Sequence, residues 1–410
     1  MRFWGLLLAG IIFVAMILGA VGEAAIAPNL AVVPSVPSVP SALSTEQMVS
    51  VRRGQLRDEV SLIGDGLQLR DPAGGVLVNG RGLVSYALAF DGVRWTIREK
   101  ASGRLVAVSL GRTLEGSGQM LRIDLRPQRS SFRLIGRLKG RAELIALVPF
   151  EQYVAGVIGA ELPKDWPLEV FKAQAVAARS FALARMRSVS AQALEKKRGW
   201  FFEGTTTDQM FDDDRSHERA VQAARETAGV TLVERGQVVS THYHSDCGGQ
   251  TDEPATVWGG GPRFGAARDV GCPLNPRAKW RLVRSFQEIQ AALQNKQILP
   301  TRFQLASLQV TSRSAAGRAL SVAVVDAVSG RSFSVTGERL REALGFSTLK
   351  STLFEVKRSA ADPTGVEFTG RGFGHGSGLC QWGARSLALS GKGYREILNH
   401  YYPRLQITER

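Results

Sequence analysis

Residues 148–187 decide the fold that we predict, and they read VPFEQYVAGVIGAELPKDWPLEVFKAQAVAARSFALARMR. Tyr153, Val157 and Glu161 are spaced four apart, so they share one face of a short helix. Pro163 ends that helix, because the residue before a proline avoids the helical conformation. The following run, DWPLEVFKAQAVAARSFALARMR, predicts a longer helix whose alanines permit close approach of a neighbouring helix. We therefore predict a helical hairpin whose corner carries Glu161.

Glu161 is the first candidate for chemistry. A carboxylate in the last turn of a helix lies beside unpaired carbonyl groups and the negative end of the helix dipole. Leu162 and Trp166 add apolar surroundings, so we expect the pKa of Glu161 to be raised. A raised pKa suits a general acid that works near neutral pH. The local sequence also leaves open an ordinary surface glutamate.

The rest of the folded chain predicts an α+β protein. Short apolar runs alternate with glycine-rich turns before the hairpin, which is typical of short strands and makes residues 46–140 a β-rich N-terminal part. Residues 141–405 form a mixed α/β domain that contains the helical hairpin. Within it, residues 229–245 predict a β-hairpin that turns at Arg235 and Gly236, and residues 285–346 mix helices with strands. The run YREILNHYY predicts a last helix that stops at Pro403.

The N-terminus predicts export. An apolar run from Phe3 to Val21 follows Arg2, and small residues at Ala25 and Ala27 offer a cleavage site, so residues 1–27 are expected to be a signal peptide or an uncleaved signal anchor. Residues 28–45 form a linker rich in Pro, Ser and Val. We expect the protein in the periplasm or cell envelope, with membrane contact only through an uncleaved N-terminal segment.

The charge is strongly positive, with 52 Lys and Arg against 37 Asp and Glu and a formal net charge of +15. Such an excess favours a polyanionic partner or surface, although it can also serve only to keep an exported protein soluble. The basic residues are scattered, and no Lys/Arg run with interleaved aromatics or zinc-finger spacing occurs. We therefore expect no nucleic-acid partner.

The glycine-rich run GRGFGHGSGLCQWGA, residues 370–384, is a second candidate site. Closely spaced glycines let the backbone approach a ligand, while His375, Gln381 and Trp382 supply hydrogen bonds and a stacking face. No GK[ST] ends the run, so it does not fit a phosphate loop. A purely structural glycine turn is the alternative.

The third candidate is HYHSDCGGQT, residues 242–251. His242 and His244 alternate, so both would point to one face of a strand, and Cys247 begins the next turn. A zinc site formed by His244, Cys247 and Cys272 is one interpretation, although the spacing matches no standard zinc motif. A disulfide between Cys247 and Cys272, which would leave Cys380 alone, competes with it. We expect no metal or other cofactor to be needed.

Taken together, these segments resemble the family of stage II sporulation protein D and the LytB amidase enhancer, the SpoIID/LytB family. The resemblance covers roughly residues 130–405. It is carried by VPFEQYVAGVIGAELPKDWPLEVFKAQAVAARSFALAR, by HYHSDCGGQTDEPATVWGG and by GRGFGHGSGLCQWGARSLALSGKGYREILNHYYP. Some sporulation members carry a His/Cys zinc cluster where this chain reads TTTDQMFDDDR, and that cluster is absent from this sequence.

The resemblance implies a peptidoglycan lytic transglycosylase with Glu161 as its catalytic residue. Its substrate would be denuded glycan, and cleavage between MurNAc and GlcNAc would give 1,6-anhydroMurNAc ends. A single carboxylate suffices for that chemistry, because water is not the nucleophile. The residues expected to bind sugar are Tyr243, His244, Arg371, His375, Gln381 and Trp382. A non-catalytic peptidoglycan binder that stimulates an N-acetylmuramoyl-L-alanine amidase, and a purely structural envelope protein, are the alternatives.

Overall fold

The computed structural model describes residues 47–409, apart from positions 58, 72, 74, 206–207, 270–274, 277 and 361–363. The expected signal segment and linker lie outside the described residues, and so does Cys272. Within the described ranges, no helix is both long and apolar enough to cross a membrane. Strands and helices are both abundant, which confirms the predicted α+β class.

The N-terminal part forms one large sheet of antiparallel strands around its own apolar core. Its strands are β1 (Met48–Arg57), β2 (Val60–Arg70), β3 (Val76–Asn79), β4 (Leu83–Phe90), β5 (Trp95–Glu99), β6 (Leu105–Val108), β7 (Thr113–Ile123), β8 (Arg126–Pro127), β9 (Ser131–Arg137) and β10 (Arg141–Pro149). Strand β10 pairs with both β9 and β1, so the expected boundary after residue 140 falls inside the sheet. The sheet and the helical part are therefore continuous at β10.

The predicted helical hairpin follows β10 directly. The next elements are α1 (Phe150–Glu161), α2 (Leu168–Arg187), α3 (Val189–Arg198), β11 (Phe202–Glu203), a 3-10 turn (Asp213–Arg215), α4 (Glu218–Glu226), β12 (Val230–Glu234), β13 (Gln237–Val238), β14 (Tyr243–His244) and α5 (Pro254–Trp258). Helix α1 ends at Glu161, as Pro163 predicts, and Pro167 stands immediately before α2 rather than in its first turn. β11 adds a parallel strand to the edge of the large sheet beside β1.

The alanines of α2 lie at the centre of the second core. Ala173, Ala175, Ala177 and Ala178 are completely buried, and the core around them also takes in side chains of α1, α4 and β12. Small side chains allow this because they keep the helix axis close to its neighbours on more than one side. The predicted role of these alanines in close helix packing is confirmed.

A third core lies between residues 279 and 371. Its elements are β15 (Lys279–Ser285), α6 (Phe286–Asn295), β16 (Leu305–Arg313), β17 (Ala319–Asp326), β18 (Ser332–Thr336), α7 (Gly337–Leu344), β19 (Phe354–Arg358) and β20 (Gly365–Arg371). Two three-stranded sheets, β15-β20-β19 and β16-β17-β18, pack with the two helices around it. The chain then ends with β21 (Leu379–Cys380), α8 (Gln381–Leu389), α9 (Tyr394–Tyr401) and β22 (Gln406–Glu409).

The β-hairpin predicted over residues 229–245 is shorter than expected. Strands β12 and β13 turn at Arg235 and Gly236, which both have positive φ, as a two-residue hairpin turn requires. Tyr243 and His244 do not continue that hairpin. They pair in parallel with Leu379 and Cys380, more than a hundred residues away, and this long-range pairing leaves no trace in the local pattern.

A buried arginine joins the helical elements. The Arg179 guanidinium on α2 donates to both carboxylate oxygens of Glu151 on α1, at 2.9 and 2.7 Å. It also donates to the carbonyl of Ala224 on α4 and to that of Val230 on β12, both at 3.1 Å. Because Arg179 is only 1% exposed, these bonds replace all of its hydration.

We expect Arg179→Met to lower the free energy of unfolding by about 3–5 kcal/mol, because it leaves Glu151 and two carbonyl groups without their partner. Urea denaturation followed by circular dichroism measures this loss. The matched control is Arg225→Met on the exposed side of α4, which should cost no more than about 0.5 kcal/mol. Equal losses in the two variants would contradict a special role for Arg179.

Candidate active site

Glu161 ends α1 with its carboxylate held between two parts of the chain. Its Oε1 accepts a hydrogen bond from the backbone N–H of Met210 at 3.3 Å. Its Oε2 accepts one from the side-chain amide of Gln381 at 3.4 Å, although Gln381 lies 220 residues further along the chain. Among the described residues no cation pairs with this carboxylate. The residue keeps some exposed surface, so a ligand can reach it.

The surroundings of Glu161 change its acidity. Burial raises the pKa of its carboxyl group to about 7, while the bonds from Met210 and Gln381 lower it by less. Without a paired cation, the ionised form loses hydration and gains little in return. The raised pKa expected from the sequence is confirmed, and at neutral pH the group exists in both protonation states.

Two glycines of α1 bring the segment around Met210 onto the helix. A Cβ at Gly159 would lie 2.1 Å from the carbonyl oxygen of Arg215, so only glycine permits this approach. Tyr153, on the same face of α1 as Glu161, donates a hydrogen bond from its hydroxyl to the side chain of Gln209 at 2.7 Å. A Cβ at Gly156 would likewise meet a neighbouring aromatic ring. Sequence reasoning missed the N–H donor of Met210, and these two glycines were the signal that could have pointed to it.

The start of α8 supplies the second partner. Helix α8 begins at Gln381, so this side chain leaves the helix in its first turn and reaches Glu161. Trp382 meets Trp166 edge to face at a centroid distance of 5.2 Å. The Arg385 guanidinium lies 5.7 Å from the ring of Trp166 and 5.4 Å from that of Trp382. The structure thus places Gln381 and the partly exposed Trp382 at the hairpin corner.

Tyr243 also lies near the carboxylate. Its hydroxyl is enclosed by protein, and its pKa is raised well above the ordinary value, first by burial and then by the negative charge of Glu161. Its neighbour His244 is buried deeper, and the Nδ1 of His244 lies 3.2 Å from the carbonyl of Ser377. Tyr243, and not His244, therefore places its side chain toward Glu161.

His375 and Arg371 are engaged with the backbone. The Nε2 of His375 lies 2.9 Å from the carbonyl of Tyr243, and its Nδ1 accepts from the N–H of Ser377 at 3.1 Å. Burial lowers the pKa of His375 well below its ordinary value, so the ring is neutral. The guanidinium of Arg371 donates to the carbonyl of Gly248 at 2.8 Å and lines a separate cleft of about 650 Å³. None of these three bonds involves Glu161.

The fold and the site define an α+β protein with a carboxylate of raised pKa, Glu161, at a helical corner. A family model described as stage II sporulation protein matches residues 139–233, which contain that corner. A second model, described as a domain of unknown function, matches residues 268–378.

Several relatives match a little under two thirds of this chain. An uncharacterised protein of Brachyspira hyodysenteriae is 31% identical over 262 residues, which are 63% of this chain and 66% of that protein. Stage II sporulation protein D of Bacillus amyloliquefaciens is 28% identical over 275 residues, 64% of this chain and 75% of the relative. The amidase enhancer of Bacillus subtilis is 27% identical over 298 residues, 62% of this chain and 40% of the relative.

This chain belongs to the SpoIID/LytB family. The matched part spans about two thirds of the Brachyspira protein and less than half of the amidase enhancer.

The raised pKa of Glu161 predicts a pH-dependent stability. A carboxyl group whose pKa rises from 4.5 to about 7 on folding destabilises the folded state as the pH rises from the lower value through the higher one. We therefore expect Glu161→Gln to raise Tm at pH 8 and to change it little at pH 4.5. Thermal unfolding across this pH range measures the difference. Asp165→Asn, which alters an exposed carboxylate of the same corner, is the control. A Tm change in Glu161→Gln that is independent of pH would contradict the raised pKa.

Proposed function

We propose that this protein is an exported peptidoglycan lytic transglycosylase that cleaves denuded glycan strands at the bond between MurNAc and GlcNAc. The observation that carries this proposal is the single carboxylate of Glu161, whose pKa of about 7 lets it donate and accept a proton near neutral pH. The positive charge of the chain favours retention at the anionic cell wall.

In the first half of the reaction Glu161 acts as the acid. Its proton moves to the glycosidic oxygen, which leaves with the electrons of the broken bond to C1. The N–H groups of Met210 and Gln381 then stabilise the new carboxylate, because both already donate to its two oxygens. No other group need supply the proton.

In the second half the same carboxylate acts as the base. It takes the proton of the MurNAc C6 hydroxyl while that oxygen bonds to C1, which closes the 1,6-anhydro ring and restores protonated Glu161. The nucleophile belongs to the substrate, so no second carboxylate is needed to activate water. A mechanism with one carboxylate agrees with a site in which the described hydrogen-bond partners of Glu161 are amide groups.

The side chains around the carboxylate suit a sugar ligand. Trp382 is partly exposed beside the corner and offers an aromatic face, and Gln381 has one more amide hydrogen than its bond to Glu161 uses. We propose that these two residues and Tyr243 hold the sugars next to Glu161. His244 and His375, which bond to the backbone, would then support the wall of the site, whereas Arg371 lines the separate cleft.

We expect Glu161→Gln to lower the cleavage of purified, peptide-free glycan by at least about 10²–10⁴-fold, because one group serves as both acid and base. The assay is mass spectrometry of the digest, with anhydro ends as the readout. Asp165→Asn should keep full activity. In the wild type, kcat/KM should fall as the pH rises above about 7, since the protonated carboxyl is then lost. Near-wild-type cleavage by Glu161→Gln would falsify Glu161 as the acid.

Stimulation of an amidase without catalysis is the second candidate, and the similarity to the Bacillus subtilis amidase enhancer favours it. The two functions separate when intact sacculi are incubated with a cell-wall amidase and either the wild type or Glu161→Gln. If the protein is the transglycosylase, anhydro ends appear only with the wild type and increase as the amidase removes peptides. A non-catalytic enhancer would speed peptide release equally in both forms and give no anhydro ends.

A further inference from the structure

We propose that His244, Cys247 and Cys380 form a buried binding site for a thiophilic divalent cation such as Zn²⁺. A nitrogen of His244 and the two sulfur atoms all lie within 4.8 Å of one another. The three residues are 4%, 0% and 0% exposed. They come from β14, from the turn after it and from the residue that caps α8, so only the tertiary fold unites them.

The donor set fits zinc. Thiolate sulfur and imidazole nitrogen are its common ligands, at about 2.3 Å and about 2.0–2.1 Å, so that two ligand atoms of one ion stand roughly 3.5–4 Å apart. A group already within 4.8 Å needs only small side-chain movements to reach that geometry. The carboxylate of Asp269, 3.5 Å from the sulfur of Cys247, also accepts a hydrogen bond from the hydroxyl of Tyr401 and lies beside the cluster rather than in it.

The backbone N–H groups around the two sulfur atoms are a second observation, separate from the clustering of the three side chains. The N–H groups of Cys247 and Gly383 point at the sulfur of Cys380, at 3.3 and 3.4 Å. The N–H of Gly249 points at the sulfur of Cys247, at 3.4 Å. Cys380 is moreover the N-cap of α8, where the helix dipole favours negative charge. Three backbone N–H groups therefore face the two sulfur atoms.

His244 has the second contact that a metal-ligating histidine usually makes. Such a histidine uses one ring nitrogen for the metal and donates the other N–H to a carboxylate or a backbone carbonyl. The Nδ1 of His244 lies 3.2 Å from the carbonyl of Ser377, which assigns Nε2 as the ligand atom. The ring orientation is therefore fixed before any ion binds.

The site lies directly behind the candidate active site. Tyr243 and His244 form β14, which pairs with β21, and Gln381 is the first residue after β21. A bound ion would fix the position of both side chains beside Glu161 and would take no part in the reaction. This positioning role rests on the proposed function, whereas the metal site itself does not.

The sequence alone suggested His244, Cys247 and Cys272 as a ligand set and left Cys380 alone. The structure instead brings Cys380 to Cys247, and Cys272 lies outside the described residues. The assignment of Cys380 therefore depends on the pairing of β14 with β21.

Elemental analysis of the full chain, purified without a metal-affinity step, tests the proposal. We expect about one zinc per chain, and reconstitution of the apoprotein with Co²⁺ should give the visible and sulfur-to-metal absorption of a thiolate site. Cys247→Ser and Cys380→Ser should each lose the metal. His242→Gln, on the same segment but outside the three-residue cluster, should keep it. Glu161→Gln should also keep it, so that an inactive glycan site and an absent metal site are distinguishable.

Three results would overturn the proposal. One is a wild type with less than about a tenth of an equivalent of zinc in which peptide mapping finds a disulfide between Cys247 and Cys380. Another is metal that survives both serine substitutions. The third is the lack of sulfur-to-metal absorption in the wild type after Co²⁺ reconstitution, and this result stands even if the serine variants fail to fold.

Discussion

The ion pair between Arg179 and Glu151 is the interaction on which the helical part of the structure depends. A guanidinium that is almost completely buried has lost its water, and its donors must be satisfied by protein. Glu151 takes two of its bonds, and carbonyls of α4 and β12 take others. Because α1, α2, α4 and β12 all meet at this one side chain, a shift of any of them would break a bond without replacement. The same contacts fix the position of the C-terminal end of α1, where Glu161 lies.

The site is built by close backbone approach and carries an energetic cost. Small residues let α2 and the segment around Met210 approach α1, and this approach buries the carboxylate of Glu161. Burial disfavours the charged form, since no cation in the described part of the chain pairs with it, so the protein loses stability at neutral pH to keep a proton available there. The two amide donors offset part of that cost and leave the pKa near the pH at which acid and base forms coexist.

The composition of the glycine-rich segment, residues 370–384, indicates a ligand site, but most of its contacts in the structure are packing contacts. A Cβ at Gly378 would lie 2.1 Å from the carbonyl of His242, and Gly378 has a positive φ. This glycine lets the segment lie against β14, and the bonds of His375 to the backbone hold it there. At its end, the side chain of Gln381 bonds to Glu161, and Trp382 packs against Trp166 at the same corner. Its glycines therefore serve packing first, and the packing delivers the contact.

The sequence by itself determined the helical hairpin, the position of Glu161 at its corner and the α+β class. Periodicity, proline positions and alanine content are local properties, so neighbouring residues suffice to read them. Only the tertiary structure decided that Gln381 and the N–H of Met210 bond to Glu161, that Tyr243 and His244 pair with β21, and that Cys380 meets Cys247. Those contacts join segments about 50 to more than 200 residues apart, and their formation depends on which surfaces the three cores bury together. A local pattern carries no information on that choice, because the free energy that decides it arises from the whole packed chain.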